Sequence, residues 1–232
     1  MISLYAINLV IHIKKSDITS YKNFHKKRIK HLVKILSKLI KKNDRIGIIG
    51  YSIFDKYLKN SFPEAIFYNI VPKRMGSEVK KYMSDASIIY FDIENTNHES
   101  RMPKKLDIII FTEVLEHLFS DDHNIMKNIY KITKKDGYLI FSVPNISALV
   151  KLATLIIGHN PYMTKKQQIE GVFGGYGHIR EYSLGEAIGL CASAGFSVKI
   201  QIGMNDYGSI FDKVAKFLPK RYAETILIVA QK

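Results

Sequence analysis

The sequence predicts an α/β protein with a doubly wound, mostly parallel sheet, and three observations carry that prediction. Seven short apolar runs of strand length, rich in Ile, Val, Phe and Tyr, recur along the chain. Most are separated by stretches whose apolar residues return at helical spacing. The 232 residues, 47% hydrophobic and 24% charged, suffice for a sizeable core, which excludes a disordered or fibrous chain. Parallel neighbours need crossovers of helix length, so this alternation implies a sheet covered on both faces.

The opening MISLYAINLVIHI is apolar, but it lacks the basic start and small-residue cleavage site of a signal peptide and is too short to span a bilayer. From Tyr21 to Ile40, Phe24, Ile29, Leu32, Val33, Leu36, Leu39 and Ile40 recur near helical spacing, with Lys26, Lys30, Lys34 and Lys38 opposite. This is a basic amphipathic helix. The strands follow at Ile46–Ile49, Ala65–Val71, Ser87–Phe91, Leu106–Phe111 and Tyr138–Val143. Helical patterns lie between them, one through Ile53, Phe54, Tyr57 and Leu58 and another through Ile125, Met126, Ile129 and Ile132. After Pro144 come a helix-like stretch over Ile146–Ile157, read as a cover for the sheet, and the glycine-rich EGVFGGYGH. In SLGEAIGLCASAG, Ser183 and Glu186 form a capping box and Gly195 is the stop. Strands at Phe196–Ile202 and Thr225–Ala230 close the chain.

Thirty-five Lys and Arg against 21 Asp and Glu leave a net charge of +14. The excess is local: residues 1–45 hold 12 Lys and Arg against Asp17 and Asp44, a net of +10, which leaves +4 for the rest. The expected division is therefore a basic N-terminal segment, 1–44, and a sheet domain, 45–232, with a lid-like insert near 146–182. The basic helix is a candidate contact for nucleic acid or anionic membrane, with a lysine-rich solvated face as the plainer explanation. The single Cys191 excludes an intrachain disulfide and suits a reducing, cytoplasmic setting.

In an open parallel sheet, ligands sit beyond the carboxyl ends of the strands. The residues that end or follow the runs are Gly50, Tyr51 and Ser52, then Asn69, Asp92 with Ile93, Thr112 with Glu113, and Pro144 with Asn145. Here LDIIIFTEVLEHL, a helix, KKDGYLIFSVPN and HIREYSLGEAIGLCASAGFSV together resemble class I S-adenosylmethionine-dependent methyltransferases, over about four-fifths of the chain. That resemblance implies a Rossmann-like, seven-stranded, mostly parallel sheet with an antiparallel last strand. It implies S-adenosyl-L-methionine as cofactor and methyl transfer to oxygen or nitrogen of a small molecule, sugar or lipid-linked glycan intermediate. Within the family, the spacing of VPN, a variable insert and HIREYS is similar to the branch acting on such acceptors.

Carried onto this sequence, the cofactor positions are Gly50, Tyr51, Ser52, Asn69, Asp92, Ile93, Thr112 and Glu113. The cofactor loop departs from the family pattern of an acid and three alternating glycines, which here fall on Ile48, Gly50, Ser52 and Phe54. Asn69 stands where an acid usually grips the ribose, and an amide offers only one accepting atom. Ser52 and Asp55 still form an S-x-x-D cap that aims a helix amino end at the cofactor space. Two readings stay open: an active enzyme with a shifted binding pose, or a catalytically silent methyltransferase-like module, alone or beside a partner in an oligomer. An RNA-modifying or RNA-binding protein is the third class.

For chemistry, His178 is the first candidate base, with a loop histidine holding a carbonyl as the alternative. Glu113 and His117, one helical turn apart, form a candidate pair for orienting an acceptor hydroxyl, unless Glu116 and His117 only brace the turn. Asp121, Asp122 and His123 are read as a helix cap, and no metal is assigned. Tyr176 with Phe173 is a candidate lid, and Arg180 and Arg101 are candidate anion partners.

Overall fold

The structure, a computed structural model, describes residues 28–50, 55–75, 79–80, 87–95, 104–162, 164, 166, 178–205 and 219–232. Tyr51, Ser52, Phe54, Arg101, Phe173 and Tyr176, and with them the lid and the Ser52 cap, lie outside these residues. The chain runs from helix α1 (28–39) into β1 (Arg45–Ile49), α2 (Asp55–Ser61), β2 (Ile66–Val71), β3 (Ile88–Tyr90) and β4 (Leu106–Thr112). Then come α3 (Asp122–Ile132), β5 (Thr133–Pro144), α4 (Leu149–Ile156), α5 (Leu184–Ala194), β6 (Ser197–Met204) and β7 (Thr225–Gln231).

The strands form one seven-stranded sheet in the order β3-β2-β1-β4-β5-β7-β6. Neighbours from β3 to β5 pair in parallel, and β7 runs against both β5 and β6. The expected Rossmann-like sheet with an antiparallel last strand is the observed one. The order turns back between β1 and β4, and that switch point opens a crevice beyond the carboxyl ends of the strands.

Both sheet faces are covered, and the period of two along each strand shows it. Ile49, Ile109, Phe111, Leu139 and Phe141 share one cluster with Ile125, Ile129 and Ile132 of α3 and Ala187 and Cys191 of α5. Ile46, Ile48, Ile108, Ile110 and Ile140 face the other way, into a cluster with Leu32, Ile35 and Leu36 of α1 and Leu58 of α2. The amphipathic N-terminal helix is thus part of the sheet's own core. Lys30, Lys34 and Lys38 remain on its exposed side.

Helix α5 starts and stops as its sequence dictates. Ser183 Oγ accepts from the Glu186 backbone N–H, Glu186 accepts from that of Ser183, and Gly195 closes the helix at φ +104°. Asp121 caps α3 by accepting from the Asn124 N–H. Helix α4 corrects an expectation. None of its residues is buried, and Leu155 and Ile156 are exposed, so it does not cover the sheet. Its 3.6-residue apolar period resembles a covering helix, because sequence cannot say whether a facing surface is in reach.

Candidate active site

Gly50 follows β1 at φ +84° and donates its N–H to the Ile70 carbonyl at 2.9 Å. Among the described residues, a Cβ there would meet only Val114 Cγ2, at 3.9 Å. Beside it, Asn69 is fully buried in β2, and its side-chain amide faces inward. Nδ2 donates to Asp55 Oδ2 at 2.5 Å and to the Gly50 carbonyl at 3.1 Å, while Lys59 Nζ lies 3.4 Å from Oδ1. Asn69 therefore ties the start of α2 to the turn after β1. Beyond β3, Asp92 Oδ1 accepts the Glu94 N–H at 3.1 Å. Ile93 is a core residue whose carbonyl accepts from Asn128 Nδ2 at 3.0 Å.

Beyond β4 the polar groups converge. Thr112 ends the strand opposite Ser142 of β5. Glu113 then adopts φ +54°, a left-handed backbone rare for a residue with a side chain. Two bonds hold it: its N–H donates to the Ser142 carbonyl at 3.0 Å, and its Oε1 accepts from Ser142 Oγ at 2.7 Å. Its Oε2 pairs with Arg28 Nη1 of α1 at 3.3 Å. A short 3-10 turn, Leu115–His117, follows.

Glu116 is buried in that turn, and neither of its carboxylate oxygens has a hydrogen-bond partner among the described residues. Burial pushes its carboxyl well above the usual range, and the nearby Glu113 adds to the push. His117 Nε2 is 3.8 Å from Glu116 Oε1, and its ring meets that of His178 edge-on at 5.3 Å. Residues 178–182 are strapped across the end of β5, with the Tyr182 N–H on the Pro144 carbonyl and the Ile146 N–H on the Tyr182 carbonyl. The Ile179 N–H donates to the Glu116 carbonyl at 2.8 Å, which pins His178 beside the turn.

His178 Nδ1 lies 3.0 Å from Glu181 Oε1, and Glu181 Oε2 pairs with Lys151 of α4. Burial works to raise the Glu181 carboxyl, but the bonds to His178 and Lys151 outweigh it and hold it low. An ionised Glu181 only accepts, so the proton of neutral His178 belongs on Nδ1, and Nε2 keeps its lone pair.

Residues 50–199 match a family model described as a methyltransferase domain. The chain belongs to the methyltransferase domain family. Among solved structures, it is similar to the N-methyltransferase NodS from Bradyrhizobium japonicum in complex with S-adenosyl-L-homocysteine. That match has a TM-score of 0.54 and 16% identity over 90% of this chain and 87% of that one. It is also similar to a methyltransferase from Thermotoga maritima, a possible histamine N-methyltransferase, at TM-score 0.58 and 15% identity, covering 94% and 95%. A third is a Haloferax volcanii complex of the Trm112 methyltransferase activator with a putative methyltransferase, at 0.58 and 14%, covering 94% of each. At these identities the likeness is one of fold. No curated protein sequence matches the chain.

Within this methyltransferase domain, the predicted residues fall into two groups. Gly50, Thr112 and Glu113 line the ends of β1 and β4, and His117 and His178 meet beside them. The predicted Glu113–His117 pair does not form as such. The left-handed Glu113 and the 3-10 turn replace the α-helical geometry that an i, i+4 pairing needs, so Glu113 turns to Arg28 and Ser142. Arg180 bonds Asp122 and Glu186, and His123 Nδ1 is 2.9 Å from Ser193 Oγ. Arg28 and Glu181 were missed. Glu181 sits three residues after His178, a spacing that could have marked it. No local signal marks Arg28.

Proposed function

We propose that this protein transfers a methyl group from S-adenosylmethionine to an oxygen or nitrogen of a small molecule, sugar or lipid-linked glycan intermediate. The observation that carries this reading is the left-handed backbone of Gly50 after β1, with Glu113 after β4 and the His117–His178 ring pair in and beside the turn that follows, at the switch point of a methyltransferase-family sheet. The complex of a similar fold with S-adenosylhomocysteine supports the same cofactor. Gly50 fits that cofactor because bare backbone lets a ligand approach, and Asp92 and Thr112 stand at the neighbouring strand ends.

The cofactor supplies a methyl group activated on a sulfonium. The protein's part is to hold the acceptor in line and receive its proton. In its neutral form His178 would offer an Nε2 lone pair for that, oriented by Glu181, which in turn is held by Lys151. The Arg28–Glu113 pair anchors the wall of the crevice.

One observation favours the second reading, a catalytically silent module: the Asn69 amide is committed to Asp55 and Gly50. Calorimetry with S-adenosylmethionine and S-adenosylhomocysteine tests the cofactor. Micromolar binding of either is expected, and no heat up to millimolar concentration overturns it. Turnover of the methyl donor by the purified chain with any acceptor excludes the silent module.

A further inference from the structure

We propose that Glu116, His117 and His178 form a site for one divalent transition-metal cation of the zinc class. Each offers one ligand atom, and these atoms all lie within 4.8 Å of one another. Bonds of about 2.0–2.2 Å to a tetrahedral cation put donors about 3.5 Å apart, so small side-chain rotations close the set.

Glu116 is the first independent sign of a ligand. A carboxylate buried to 1% exposure, with neither oxygen hydrogen-bonded among the described residues, is costly unless a cation or a proton compensates it. The fold also leaves it little room to turn to solvent, because the Glu116 carbonyl is tied to the Ile179 N–H across the strap.

The second sign is the support behind His178. A metal-binding imidazole characteristically donates its other N–H to a carboxylate, which fixes the tautomer and the ring. His178 Nδ1 does this to Glu181, which Lys151 holds in place, so Nε2 is the atom left for a metal. A mixed set of one carboxylate and two imidazoles suits zinc, iron(II), cobalt(II) or manganese better than magnesium or calcium. Three protein donors leave a position open, as catalytic sites do and closed structural sites do not.

The role of the cation rests on the methyltransferase reading. An acceptor hydroxyl bound at the open position would lose its proton to solvent near neutral pH. His178 would then serve as a ligand and not as the base.

The test uses the untagged full chain, stripped with a chelator and titrated with Co2+ while visible absorption is followed. Expected are d–d bands saturating at one equivalent and lost on adding Zn2+. His178→Ala and Glu116→Gln should each weaken binding at least tenfold, and Glu181→Gln about 10- to 100-fold, the range for loss of a supporting group. Absence of bands with millimolar Co2+ in the wild-type chain overturns the site, whether or not any variant folds, and leaves His178 as the base. Binding of equal strength in folded His117→Ala and His178→Ala also overturns it. S-adenosylhomocysteine calorimetry on the same stripped protein fails separately if the methyltransferase reading is the one in error.

Discussion

Arg28 Nη1 on α1 lies 3.3 Å from Glu113 Oε2 at the end of β4, with both side chains largely shielded from solvent. The pair joins the basic N-terminal helix to the wall of the candidate active site. Ser142 holds the other carboxylate oxygen at 2.7 Å, so Glu113 is clamped from two elements at a strained backbone position. Arg28→Ala removes one clamp and leaves a half-satisfied carboxylate. Methyl transfer should fall about tenfold, equivalent to about 1.4 kcal/mol. Steady-state rates for the variant, with circular dichroism to confirm the fold, check this; an unchanged rate would show that Glu113 needs no clamp.

Gly50→Ala separates folding from binding. At φ +84° a side chain costs about 1 kcal/mol, although among the described residues a Cβ would meet only Val114 Cγ2, at 3.9 Å. The variant should lose about 3 °C in Tm but at least tenfold in S-adenosylhomocysteine affinity, because the new Cβ occupies the ligand's approach. Equal losses in both would mean that Gly50 does not border the cofactor crevice.

Asn69→Asp would restore the acid that the family resemblance expects, yet the structure argues against any gain. The amide donates to both Asp55 Oδ2 and the Gly50 carbonyl, and a carboxylate would turn both contacts repulsive. A loss of about 3 kcal/mol, or about 9 °C in Tm, is expected near neutral pH, shrinking in acid as the new carboxylate pair takes up a proton. Thermal melts between pH 4 and pH 8 read this directly; a stabilised variant with tighter cofactor binding would return Asn69 to the ribose.

Asp107 gives the fold part of its acid sensitivity. Burial pushes its carboxyl up, but Lys134 Nζ at 2.6 Å, the Arg45 N–H at 3.0 Å and the charges of both residues outweigh burial and hold it low. Its folded pKa lies below the unfolded one, so its contribution is present above about pH 4 and disappears as pH falls through the folded value. Asp107→Asn should cost about 1 kcal/mol at pH 7 and nothing measurable near pH 2. Urea unfolding across that range tests the sign; a cost that grows in acid would contradict it.

Much of the architecture was legible because it is written in local periods. Ile46, Ile48, Ile108 and Ile110 point to one face and Ile49, Ile109 and Phe111 to the other, the pattern of strands buried on both sides. Ser183, Glu186 and Gly195 needed only their own backbone neighbours to start and stop α5. The placing of Gly50 and Thr112 at strand ends was legible for the same reason, since each directly ends or follows a recognisable strand. The exposure of α4 was not, because amphipathic spacing is the same whether or not a surface lies opposite.

The sequence by itself determined the α/β class, the strand and helix order and the residues that border the crevice, all consequences of spacing along the chain. Only the tertiary structure decided what those residues face. It turned the Asn69 amide inward to Asp55, brought Arg28 to Glu113, and sealed Glu116 beside His117 and His178 with Glu181 behind. Each of these depends on where separate elements meet around the sheet, and the energy of a buried polar group is set by those neighbours and not by its place in the chain.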